Sequence, residues 1–113
     1  MGIRIASGVF ANSLIRSAYA VGGSAAVVAK GDAIAGSILL IMAEKGVFQA
    51  LFERHYDQSG RYVWNQKSTQ LTEDKHKFDD YISRERHRDP DLWVIELDVP
   101  NVERFTADMA SGG

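Results

Sequence analysis

Three histidines and a scatter of acids are the first side chains in this sequence with chemistry to offer. His55, His76 and His87, with Asp79 and Asp80, carry the donor atoms of a divalent metal site. Their spacing argues against a shared ion. In a helix, His76, Asp80, Ser83 and His87 share one stripe, while Phe78, Tyr81 and Ile82 share the opposite, core-facing one. His76 and His87 then stand more than two turns apart, too far to close on one metal. No metal site and no other cofactor is expected.

A second polar set is Lys30, Asp32, Arg84, Arg88, Asp91 and Glu96. These residues make a small-ligand or enzyme site if the 30–36 loop and the 84–96 turn meet in space. Gly31 and Gly36 have the glycine spacing of a phosphate loop, but Ser37-Ile38 stands where lysine and a hydroxyl residue must follow. The segment reads instead as a glycine-bounded turn in which Asp32 accepts from local amides. No Gly-x-Ser-x-Gly, His-Glu-x-x-His or calcium-loop pattern occurs, so no catalytic residue is assigned. Lys75, Lys77, Arg84, Arg86, His87 and Arg88, with Tyr62 and Trp64 for stacking, suit nucleic acid. Glu73, Asp74, Asp79, Asp80 and Glu85 alternate with them, which marks a solvated helix face and makes weak nucleic-acid binding through 72–88 the last choice.

The elements that must hold these residues follow from periodicity. Phe10, Leu14, Ala18 and Val21 recur at helical spacing over 8–21, with Ser7 as N-cap and Gly22-Gly23 as a stop. Residues 25–30 form a strand, and 37–43, apolar on both faces, form a central one. Glu44-Lys45-Gly46 turns the chain into a strand over 47–55, with Phe48, Ala50 and Phe52 on one face. The turn at 56–60 leads to a strand over 61–66. Thr72 caps a helix that carries Glu73 and Asp74 in its first turn and ends at Asp89-Pro90. Leu92 to Leu97 form the last strand. Val102, Phe105 and Met109 make only a weak helical set. The expected class is α+β: an antiparallel sheet of about five strands, a four-strand meander plus the C-terminal strand, with two helices packed on it.

Composition narrows the role. With 45% apolar and 25% charged residues, the 113-residue chain has a globular balance, and one domain over 1–105 with a disordered tail at 106–113 is expected. The net charge of −2 supplies no global field toward phosphates or anionic lipid. The lack of cysteine excludes disulfides and thiolate chemistry and suits a cytoplasmic protein. Ala18-Tyr19-Ala20 looks like a cleavage site, but Asn12, Ser13 and Arg16 interrupt the apolar run that a signal peptide needs. No run reaches the ~20 apolar residues of a membrane helix.

Lys30-Gly31-Asp32 with Ala35-Gly36, Gly60-Arg61-Tyr62 with Trp64, and Tyr81-Ile82 through Arg88-Asp89-Pro90-Asp91-Leu92-Trp93-Val94-Ile95-Glu96-Leu97 resemble the uncharacterised bacterial family of domain of unknown function 1491. The likeness covers about residues 4–105. It implies a bacterial cytoplasmic protein of this size with no assigned activity, cofactor or catalytic residue. Where the family's loop usually has a second acid, this chain has Ile34 nearby, which argues against a metal role for the loop. The expectation is therefore a non-enzymatic interaction protein that self-associates, a dimer by preference. Tyr56, Tyr62, Trp64 and Trp93 are its expected interface, because two helices cannot cover both faces of so aromatic a sheet.

Overall fold

The computed structural model describes residues 5–67 and 75–111. In chain order they form α1 (Ser7–Ala20), β1 (Ser24–Ala29), β2 (Ile38–Glu44), β3 (Val47–Tyr56), β4 (Tyr62–Gln66), α2 (Lys75–Arg88), β5 (Trp93–Asp98) and α3 (Val102–Ser111). The α+β class holds. The antiparallel sheet and the two-helix count are corrected. The sheet is mixed, in the order β1-β5-β2-β3-β4, because β5 enters between β1 and β2, antiparallel to the first and parallel to the second. Only β2-β3-β4 remains a meander.

Burial gives the reason. Trp93, Val94, Ile95 and Leu97 of β5 are as deeply covered as Ile38 to Ala43 of β2. A strand that is apolar on both faces gains most between two neighbours. β1 exposes four of its six residues, which suits it to the edge.

Helices lie on both faces. Ile38, Leu40, Met42, Trp93, Ile95 and Leu97 pack with Ala11, Leu14 and Ala18 of α1 and with Val102 and Phe105 of α3. Leu39, Ile41, Leu51, Leu92 and Val94 pack on the other face with Phe78, Tyr81 and Ile82 of α2, the stripe that helical spacing predicted. The weak set at Val102, Phe105 and Met109 is thus the inner face of a third helix. Asn101 Oδ1 accepts from Arg104 N at 3.0 Å and Glu44 Oε1 accepts from Val102 N at 3.1 Å, which satisfies two donors at the start of that helix. The Thr72 cap with Glu73 and Asp74, and the terminal Gly112-Gly113, lie outside the described residues.

Two local readings change with tertiary context. Ser7 is the first residue of α1 rather than its cap. It is buried, and its N–H and that of Gly8 donate to the carbonyls of Ile34 and Ala33 at 3.1 and 2.8 Å. Phe48 leaves the face of Ala50 and Phe52, because a bulge sets Met42 opposite Ala50 and Ala43 opposite Phe48, with Gln49 as the extra residue. Phe48 therefore meets Phe78 of α2 edge-on, ring centroids 5.6 Å apart. The β2–β3 hairpin turns on Lys45 and Gly46, both at positive φ (51° and 79°), with Glu44 paired to Val47.

Candidate functional site

Residues 30–37 and 91–93 build one tightly packed crossing. To pass from β1 to β2, residues 30–37 must cross the start of β5. Asp32 N donates to Asp91 O at 3.0 Å, Trp93 N to Ser37 O at 2.8 Å, and the Trp93 indole Nε1 to Asp32 O at 2.7 Å. Ser7 Oγ adds a buried bond to Gly36 O at 2.6 Å. A Cβ on Gly31 or on Gly36 would run into Asp91 O and the Trp93 ring, so only glycine fits either crossing point. Asp32 Oδ2 accepts from Ile34 N and Ala35 N at 3.1 and 2.9 Å, the local turn that the sequence predicted.

The polar set divides in space. The backbones of Asp32 and Asp91 meet, yet the Asp32 carboxylate serves its own loop. Lys30, Arg84 and Asp91 have exposed side chains, and Arg88 pairs with Glu85 at 2.9 Å. Arg86, left out of the predicted set, clamps the α2–β5 turn by donating from Nη1 to the carbonyls of Pro90 and Leu92, each at 2.7 Å. Glu96 lies farther along β5, about 10 Å past the strand's start at Trp93 at the rise of an extended strand, and faces α2 rather than the loop. Among the described residues, no three His, Cys, Asp or Glu side chains gather where a metal ion could be held.

The four aromatics assigned to an interface also have other neighbours. Trp93 is 5% exposed and belongs to the core. Trp64 is half-buried against Phe10, ring centroids 6.2 Å apart, and its buried Nε1 finds no acceptor among the described residues. Tyr62 stacks on the guanidinium of Arg54, 3.7 Å from Cζ to the ring centroid, and Phe10 covers the other side at 3.6 Å. A buried arginine held between two rings is a packing element that no sequence pattern announced. The side chain of Tyr56 lies outside the described set.

What remains open is the outer side of β1. Val27 and Val28 are 46% and 53% exposed, and Tyr19 and Val21, just before the strand, are 58% and 51% exposed. Ser24 to Val27 keep regular register with Asp98 to Ile95, and the irregularity comes only between Val27 and Ala29. The signal was available in the sequence: Ser24–Ala29 contains no charge and no proline.

Electrostatic effects fall away from this edge. Hydrogen bonds from Ser59 and Arg61 hold the Asp57 carboxyl below its ordinary 3.8, closing the β3–β4 turn. The Glu53 carboxylate, 3.1 Å from Lys67 Nζ, raises that ammonium above 10.5, and burial raises the Tyr81 phenol above 10.0. For both raised groups the folded protein holds its proton more tightly than the unfolded chain. Their stabilisation is complete below the unfolded values and is lost as pH rises through the folded ones. Thermal melts should therefore fall in midpoint above about pH 10; a midpoint unchanged to about pH 11 contradicts the assignment.

These features define the class: a small α+β domain with a mixed five-stranded sheet between helices and one uncharged edge. The chain belongs to the DUF1491 family of proteins of unknown function, whose model matches residues 5–107. It is similar to a DUF1491 family protein from Caulobacter crescentus CB15 seen in a crystal structure, with 30% identity, a TM-score of 0.73, and 90% of this chain and 94% of that one covered. An NMR structure of a DUF1491 family protein from the same organism gives 29% identity, a TM-score of 0.75 and coverage of 92% and 94%. The solution structure of protein Atu0922 from A. tumefaciens, at 24% identity, shares the fold with a TM-score of 0.73 over 91% of this chain and 92% of that one. No functionally curated protein matches the sequence. No helix among the described residues is long and apolar enough to cross a membrane.

Proposed function

We propose that this protein is a non-enzymatic interaction module of the bacterial cytoplasm that pairs with a second copy through the open edge of β1. The observation that carries the reading is a six-residue edge strand without charge or proline and with two half-exposed valines. An edge strand presents unpaired N–H and C=O groups, and natural proteins usually blunt such edges with lysine, proline or a short length. The other edge, β4, is bracketed by Arg61 and Lys67 and ends in Asn65-Gln66. β1 has only a single irregularity, after Val27.

A two-fold axis lays β1 antiparallel against itself. With no charge on the strand, no like charges meet across that axis. Val27 sits opposite Ile95 on the face of α1, and Val28 faces α2, so pairing covers apolar surface on both sides of the sheet. The expectation of an aromatic interface gives way to an aliphatic edge, because α1 and α3 already cover Trp93.

Sedimentation velocity at tens of micromolar is expected to give a species of twice the 12.5 kDa chain mass. Val27→Lys should return a monomer with an unchanged far-ultraviolet spectrum, since an exposed position tolerates lysine while a paired edge does not. A wild-type monomer across this range ends the proposal.

A further inference from the structure

The space beneath α2 has a chemistry that the edge does not explain. The helix contributes no fully buried residue, and between it and the sheet lies a cavity of about 670 Å³, within the ordinary span of small-molecule sites. Ile41 and Ile82 line it, along with Phe48 and Phe78, whose rings meet at 67°. Glu96 also lines it, from the middle of the sheet. On β5 it sits between Ala26 of β1 and Ile41 of β2, and its neighbours from Trp93 to Leu97 are all buried.

The Glu96 side chain is exposed into this space, so its carboxylate is free to meet a bound group there. Glu96 makes no hydrogen bond or ion pair among the described residues. Lys75 and Asp79, one helical turn apart on α2, also line the cavity and balance each other in formal charge. With Glu96 the lining carries one net negative charge beside an aromatic and aliphatic wall.

We infer that the cavity between α2 and the sheet binds a small organic cation with an apolar body, with its ammonium toward Glu96 and its hydrocarbon against Phe48 and Phe78. Aromatic faces and a carboxylate both favour such a group, the rings through their quadrupoles and Glu96 through its charge.

Benzyltrimethylammonium is a suitable probe, titrated into the labelled protein while backbone amides are followed by NMR. Saturable shifts are expected at Ile41, Phe48, Phe78 and Glu96. Glu96→Gln, a change at an exposed side chain that leaves the fold intact, should weaken binding by about threefold to fivefold, and added salt should reduce the difference. Benzoate, with the same ring and opposite charge, should leave these amides unmoved. Binding that persists unchanged in Glu96→Gln, equal binding of benzoate, or the absence of saturable shifts each overturns the inference. The monomeric Val27→Lys variant should bind as wild type does, so the result is read independently of self-association.

Discussion

Replacing Gly31 with valine lowers stability by about 3 kcal/mol or more, enough to unfold much of a marginally stable domain of this size. The glycine is set by packing, since an added side chain would have to enter the space of Asp91 O, the Leu92 carbonyl carbon and the Trp93 ring. Two of these three obstacles are backbone, which cannot swing aside as a surface side chain can. Gly36→Val should behave alike, because its Cβ meets Asp91 O and Asp32 O. Gly22 is the contrast. It has φ of +85° but open space around it, so Gly22→Ala should cost only about 1 kcal/mol. Urea unfolding followed by circular dichroism measures all three. Near-equal midpoints for Gly31→Val and Gly22→Ala contradict the crossing-point account.

Trp93→Ala should cost about 3 to 5 kcal/mol, the range for removing a large buried aromatic side chain. The ring is almost wholly covered and sits against the crossing loop, while its Nε1 holds the carbonyl of Asp32. Trp93→Phe separates these contributions. It keeps much of the apolar contact and leaves Asp32 O without its donor, for an expected loss of about 1 to 3 kcal/mol. The same unfolding experiment decides. A Trp93→Ala protein within about 0.5 kcal/mol of wild type would show that the loop crosses β5 without needing the ring.

These two effects explain which parts of the molecule were legible in the sequence. Alternation and turn residues revealed all five strands and two of the helices, because each depends on neighbours within a few residues. Strand order was not legible in that way. Leu92 to Leu97 was recognised as a strand, yet its apolar run on both faces, equal to that of Ile38 to Ala43, was the sign of an interior place. The local turn of Asp32 was visible, but not the reason for its flanking glycines, which lies in β5 some sixty residues later. Alternation puts Arg54 on the apolar face of Ala50 and Phe52, but nothing local shows that Phe10 and Tyr62 close over its charge. In the candidate site, sequence groups Glu96 with the loop and gives Val27 and Val28 the look of ordinary strand residues, because their exposure depends on strand order.

The crossing of β5 thus maintains architecture. Gly31, Asp32, Gly36, Asp91 and Trp93 close one loop over one strand, and none of their arrangement needs a substrate. The functional proposal rests instead on an edge that the fold leaves open. Amide hydrogen exchange across Ser24–Ala29, compared at low and high protein concentration, tests that proposal most directly. The outward-facing amides of β1 should exchange freely in dilute protein and become protected as concentration rises into the tens of micromolar, while α2 stays unchanged. Exchange in β1 that is equally fast at every concentration would contradict the pairing.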